Sequence, residues 1–379
     1  MALITGENVY TKLGLAPVIN AGGNTTNWGG STPSPLVRKA MDEAEVGFVE
    51  MGDLLDKSGQ FIADLLDVES AYVTSGCFSA LVLSTAACIV GEDGDKRALL
   101  PDTSGMKNEI LLQTRHHYGY ERSYGVPGGK LIEVGDSEGT SRAQLEKAIG
   151  PNTAAVAYLV KAEPDDHVVS LEDTVDIAHS KEVPVIADAA SQIYPLDYFR
   201  RNAQSADLVC FGGKYMNAPH STGFVCGKEE LVRAVQSLGF IPMHEGDGRP
   251  FGRGMKIDRQ EIIGLVTAVE AWVTMDHEER ILSYGSKFSV IERKLHGVSS
   301  VRQTKVVTNN DYWSLGLQIT LDIDVLGKSA RDVLDELDSG VPRIRMRAAG
   351  DDILTVNPHT LRDGEEVILA ERLHSVLVG

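Results

Sequence analysis

The chain has 379 residues, 42% hydrophobic and 24% charged, an ordinary globular makeup that excludes a fibre or a disordered chain and suits two or three units of roughly 150 residues. Its formal net charge of -18 argues against a nucleic-acid partner, because binding a polyphosphate backbone relies on Lys and Arg displacing counterions. No stretch reaches the roughly 18 apolar residues of a membrane span, so no membrane partner is expected. Cys77, Cys88, Cys210 and Cys226 form neither a CxxC pair nor a disulfide framework and read as reduced residues. The opening "MALITGENVYTKLGLAPVIN" lacks a basic start followed by an apolar block and a cleavage site. The expectation is a soluble, cytoplasmic protein.

In chain order, "AYVT" (71–74) precedes the apolar run "SGCFSALVLSTAACIV", "AAVAYLV" (154–160) precedes "SLEDTVDIAHSKE", and then come "VPVIADAA" (183–190) and "ADLVCFGG" (206–213). Strands apolar at nearly every position are buried on both faces, and in alternation with helices they imply a mostly parallel sheet with right-handed crossovers. The predicted fold class is α/β: a mostly parallel central sheet flanked by helices, with a smaller C-terminal α/β domain. Ser170 and Asp173 make a Ser-x-x-Asp helix start, and Asp258 with Glu261 repeats the device before Ile262, Val266, Val269 and Val273 recur at helical spacing. Between these regions "HEGDGRPFGRG" (244–254) reads as a connection or functional loop. The expected division is an N-terminal arm at 1–25, a large domain at 26–248 and a small domain at 249–379. The small domain contains "YWSLGLQITLDI", "SARDVLDELDSG", "VPRIRM" and "DILTVNP", in strand, helix, strand, strand order.

Three elements carry chemistry. Asp188 ends the buried strand of "VPVIADAASQ", and in parallel α/β sheets ligands bind outside the carboxyl ends of the strands. Lys214, in "CFGGK", holds the equivalent end of the next strand. Ser75 and Gly76 in "YVTSGCFSAL" lie at a strand-to-helix turn, where unpaired amides and small residues suit an anion. Neither a GxGxxG fingerprint nor a GxxxxGK[ST] loop is present, so no competing phosphate motif arises. Together the elements match an aldehyde cofactor held by a lysine Schiff base, its ring nitrogen paired with a carboxylate and its phosphate on a helix N-terminus, which is pyridoxal 5'-phosphate chemistry. On this reading glycines surround Lys214 so that the aldehyde carbon can approach it. The histidines show no short ligand spacing and no HExxH, so no metal is assigned. Tyr118, Tyr120 and Tyr124 are read as lining a subunit contact.

The chain resembles the fold-type-I pyridoxal-phosphate enzymes, within them the relatives of bacterial selenocysteine synthase and D-glucosaminate-6-phosphate ammonia-lyase. The likeness runs from "LGLAPVINAGGNTTNWGGSTPSPLV" through "VTSG", "LPDTSGMKNEI", "KLIEVGD", "IADAASQ" and "GGKYMNAPHSTGFVCG" to "RGMKIDRQEIIGL" and "VNPHTLRDGEE". It implies that Lys214 is the Schiff-base lysine, Asp188 the pyridinium partner, and Ser75, Gly76 and Cys77 part of the phosphate cup. It places His116 near the cofactor ring, with His117 as the alternative. Many relatives carry a hydroxyl three residues before the lysine, where this chain has Phe211. That phosphate contact is then missing or supplied by Ser221 or Thr222, of the same chain or of a neighbouring subunit.

For an anionic amino acid or amino sugar acid substrate, Arg253 and Lys256 flank a glycine-rich loop, and Asn24 and Thr25 offer polar groups. The expected reaction acts at the α and β carbons, with β-elimination giving a 2-oxo acid and ammonia. Racemisation or transamination uses the same lysine and stays open. A selenium or sulfur transferase acting on aminoacyl-tRNA would require a basic surface and a further N-terminal region. A non-catalytic binding protein would require a broken lysine or carboxylate. The family also implies a homo-oligomer, a dimer or larger.

Overall fold

The computed structural model describes residues 7–241 and 250–378. Residues 244–249 of the Gly-rich loop, and the expected boundary at 248/249, lie outside the described residues. Among the described residues there are thirteen strands: β1 (Val18–Asn20), β2 (Ser70–Thr74), β3 (Glu109–Gln113), β4 (Lys130–Val134), β5 (Thr153–Leu159), β6 (Val185–Asp188), β7 (Leu208–Gly212), β8 (Gly223–Gly227), β9 (Val301–Thr308), β10 (Leu315–Leu321), β11 (Arg343–Arg345), β12 (Arg347–Ala348) and β13 (Ile353–Val356). They belong to two compact units, one spanning Thr32–Thr274 and the other formed by the residues up to Ser31 with those from Met275 onward.

The larger unit is built on a seven-stranded sheet in the order β2-β8-β7-β6-β5-β3-β4. All neighbours pair in parallel except β8, which runs against both β2 and β7. The expected apolar runs became β5, β6 and β7, and every residue of β6, β7 and β8 is buried. A central strand covered on both faces has no polar side to present, so its sequence is continuously apolar. Edge strand β4, "KLIEV", keeps exposed Lys130 and Glu133. The 77–90 helix buries eleven of its residues, so it too is apolar all round. Leu111, Val156 and Val185 join one core cluster at 0% exposure, each burial being worth about 1.5–3 kcal/mol.

Helix starts follow the sequence signals. Ser170 Oγ accepts from the Asp173 N–H at 3.1 Å, and the Asp258 N–H donates back to Glu261 Oε2 at 3.4 Å, each satisfying an amide that the first helical turn leaves unpaired. The 259–274 helix packs on the helices Pro35–Glu45 and Met51–Leu66, and so belongs to the larger unit although it follows the Gly-rich loop.

In the smaller unit β12-β13-β10-β9 form a four-stranded antiparallel sheet. Separately, β1 pairs in parallel with β11, Ile19 opposite Ile344. The segment expected as an arm therefore supplies a strand here. Leu317, Ile319 and Leu354 from the sheet pack with Phe288, Leu337 and Leu373 from helices. Strand β9 was not anticipated: its "VRQTKVVT" has three half-buried residues and five exposed ones, a pattern with too few apolar positions to signal a strand.

Candidate active site

Register brings the two chemical residues to one end of the sheet. Asp188, the last residue of β6, pairs with Cys210 of β7, and beyond them the Gly212 N–H donates to the Ala190 carbonyl at 3.0 Å. Two residues on, Lys214 sits half-buried in the turn Gly213–Met216. That turn belongs to a loop closed by hydrogen bonds from Gly213 N to Thr222 O at 2.8 Å and from Ala218 N to Gly213 O at 3.2 Å. The glycines have a nearer reason than the approach of an aldehyde. A β-carbon on Gly213 would overlap Thr222 Oγ1 and Leu265 Cδ1, and one on Gly212 would stand 3.0 Å from the Tyr215 ring. Close packing of the loop demands glycine at 213 and leaves little room at 212.

Asp188 is 4% exposed. Its Oδ2 accepts from the Tyr118 hydroxyl at 2.6 Å, and its Oδ1 accepts from the Ala190 N–H at 3.1 Å and Cys77 Sγ at 3.6 Å. These donors are a phenol, an amide and a thiol, all uncharged. Burial pushes the Asp188 carboxyl above its usual range, and the three hydrogen bonds oppose that rise. Burial also lowers the Lys214 ammonium below its ordinary value. Cys77 couples the two: burial, followed by the Asp188 charge, holds its thiol well up, while Lys214 pulls it down.

The anion turn lies beside them. Gly76 has φ +93°, a conformation that favours glycine, and leads into the 77–90 helix. A β-carbon there would meet only the Ser221 carbonyl at 3.9 Å. Ser75 Oγ donates to the Met255 carbonyl at 3.0 Å, which draws the turn holding Arg253 and Lys256 alongside; both of these side chains are exposed. Thr222 is buried and its hydroxyl donates to the Pro219 carbonyl at 2.7 Å. Phe211 stacks on Phe224 with ring centroids 5.1 Å apart and meets Phe199 edge-on at 5.0 Å, so it is a core residue. Asn24 and Thr25 lie in the smaller unit, where Asn24 accepts from the Tyr312 hydroxyl at 2.7 Å and donates to the Gly30 carbonyl at 2.8 Å. Thr25 Oγ1 accepts from Arg347 at 2.8 Å.

The residue of "RHHY" that reaches the Asp188 carboxylate is Tyr118. His117 bonds Glu121 Oε2 at 2.6 Å, which raises its pKa. His116 is buried, its ring edge-on to Tyr158 at 4.5 Å and its Nδ1 accepting a long 3.5 Å bond from the Leu159 N–H. Burial pushes its pKa down to about 4, against about 6.5 unfolded. The unfolded chain therefore binds more protons between those values, and stability, complete above about pH 6.5, falls toward pH 4 by up to about 1.4 kcal/mol per unit. Melting temperatures across that window should drop more steeply for the wild type than for His116→Phe; parallel curves would contradict this assignment.

Two residues escaped the sequence. Tyr118, assigned to a subunit contact with Tyr120 and Tyr124, instead bonds Asp188, and Tyr124 is fully buried behind it; Tyr120 alone is exposed. His220 has a buried Nδ1 with no hydrogen-bond partner, and burial and the Lys214 charge both lower its pKa. Its place on the closed lysine loop was the available signal. Among the described residues no cluster of His, Cys, Asp and Glu suits a metal ion, and no helix is long and apolar enough to cross a membrane.

A mostly parallel sheet with a lysine and a buried acid at adjacent strand ends defines a class, the fold-type-I pyridoxal-phosphate enzymes. The residues fit that cofactor: a buried carboxylate whose donors are all neutral is suited to a ring N–H cation, and the open glycine turn to a phosphate. Comparison with known proteins narrows the class. Residues 130–241 match the Aminotransferase class-V family. The 5'-C-glycyluridine monooxygenase-decarboxylase of Streptomyces sp is 30% identical, over 97% of this chain and 92% of its own. The D-glucosaminate-6-phosphate ammonia lyase of Salmonella typhimurium is also 30% identical, over 97% of this chain and 98% of its own. An L-seryl-tRNA(Sec) selenium transferase of Moorella thermoacetica is 24% identical over 71% of this chain and 59% of its own. A solved structure of D-glucosaminate-6-phosphate ammonia-lyase matches with a TM-score of 0.86 and 28% identity, covering 98% of this chain and 99% of that one. The chain belongs to the pyridoxal-phosphate-dependent family that contains this ammonia lyase, and its cofactor is pyridoxal 5'-phosphate.

Proposed function

We propose that the protein is a lyase acting on an anionic amino sugar acid or amino acid, removing the α-proton and a β-hydroxyl so that the released enamine hydrolyses to a 2-oxo acid and ammonia. The observation behind it is Asp188, a buried acid with only neutral donors at the strand end next to Lys214; the full-length likeness to an ammonia lyase supports the reaction type. When bound, pyridoxal phosphate supplies an electron sink for negative charge at the substrate's α-carbon. Asp188 provides the countercharge that keeps the ring nitrogen protonated. Lys214, its amine made less basic by burial, would hold the cofactor's aldehyde end and serve as the base for the substrate's α-proton. The amides after Gly76, with Ser75 and Cys77, hold the phosphate, while Thr222 fixes the loop that carries Lys214. Exposed Arg253 and Lys256 meet the substrate's anionic groups.

The proposal includes a homo-oligomer, supported by Val46 and Phe48 at 91% and 93% exposure, and a cytoplasmic setting, which suits four free cysteines. A second reading, oxidative decarboxylation, follows from the equally similar monooxygenase-decarboxylase. One panel separates them: D- and L-amino acids and amino sugar acids, with and without a phosphate, followed by cofactor absorbance, ammonia, 2-oxo acid, carbon dioxide and oxygen uptake. Ammonia and 2-oxo acid in equal amounts are expected. Carbon dioxide release coupled to oxygen uptake would replace the lyase reading.

A further inference from the structure

We propose that Tyr118 is the positioning residue of Asp188, its phenol holding one carboxylate oxygen so that the acid stays ionised and aimed at the cofactor's ring nitrogen. This rests on the reading of Asp188 given above. The Tyr118 Oη to Asp188 Oδ2 distance of 2.6 Å lies in the range of hydrogen bonds from a hydroxyl to a charged oxygen. An ionised carboxylate only accepts, so the single Tyr118 proton must be the one in that bond. Tyr118 and Tyr124 oxygens are 3.3 Å apart. With the Tyr118 proton committed, Tyr124 is the donor between them, and the two phenols form a chain whose protons all point toward Asp188.

The groups facing Asp188 come from four directions: Cys77 from the 77–90 helix, Tyr118 from the segment after β3, Tyr124 from the Arg122–Gly125 helix, and Cys210 from β7. Each is held neutral, its own pKa raised by burial; the nearby cation is Lys214, acting on Cys77. Against the desolvation that favours a protonated Asp188, the Tyr118 bond is the largest opposing influence. Remove that bond and the proton shared between acid and ring nitrogen moves toward the acid.

Holoenzyme reconstituted with cofactor labelled with nitrogen-15 at the ring nitrogen reads that proton directly by NMR. Tyr118→Phe, which keeps the ring, should move the resonance toward that of an unprotonated pyridine and weaken cofactor binding about tenfold. Tyr124→Phe should move it less in the same direction. A fluorinated tyrosine at 118, a stronger donor, should move it the opposite way and guards against a merely structural effect of the phenylalanine variant. Asp188→Asn is the control. If it deprotonates the ring while none of the tyrosine variants shifts the signal, the role of Tyr118 is overturned and that of Asp188 stands. If it too leaves the signal unchanged, the pairing of Asp188 with the ring has failed, and the Tyr118 proposal with it.

Discussion

Replacing Lys214 with alanine should leave a protein that no longer holds its cofactor through a hydride-reducible bond and whose turnover falls by at least about 10³-fold. Two losses combine in that figure: the covalent anchor, and the base that moves the α-proton, a contribution of about 10²–10⁴ by itself. The fold should survive, because Lys214 is half-buried in a turn that is closed by backbone bonds from Gly213 and Ala218. Borohydride treatment followed by peptide mass spectrometry provides the check. A reduced adduct on a different peptide, or wild-type turnover in the variant, would refute the assignment.

Asp188→Ala should behave differently, retaining cofactor at reduced affinity while turnover drops about 10²–10³-fold, the scale seen when one preorganised electrostatic partner is removed. On the proposed reading, the turn at Ser75–Cys77 and Lys214 would still hold the cofactor. What is lost is the negative charge that makes a protonated ring worth its desolvation in a site where Asp188 is 4% exposed. Cofactor content and kcat measured on the same preparation separate the two effects. An unchanged kcat would remove Asp188 from the mechanism.

Much of this was legible before the structure, for physical reasons that can be named. Strands β5, β6 and β7 are covered on both faces and so had to be written as unbroken apolar runs, and a charged residue closing such a run stands out, as Asp188 and Lys214 do. An apolar run gives no direction, however, so the reversal of β8 was invisible. Strand β9 was lost because most of its side chains face outward. Tyr118 was misassigned because its site is built by convergence: the segment after β3 reaches an acid at the end of β6, two strands away across the sheet with β5 between them, and no local spacing records that meeting. The Gly-Gly pair before Lys214 has a chemical reading in sequence, whereas the packing of Thr222 and Leu265 on Gly213 and of Tyr215 on Gly212 comes from the folding back of the loop and the approach of the 259–274 helix, which no local spacing records.

Strand β8 lies between the two sides of the proposed site. Gly223 stands opposite Thr74 on one side and Gly212 on the other, and a β-carbon there would press on Gly76, Cys77 N and the Phe211 carbonyl. The missing side chain of Gly223 thus lets the turn proposed to hold the phosphate approach the strand that leads to Lys214. Any side chain at position 223 would have to push the start of the 77–90 helix away from the strand that leads to Lys214, so this position admits glycine alone.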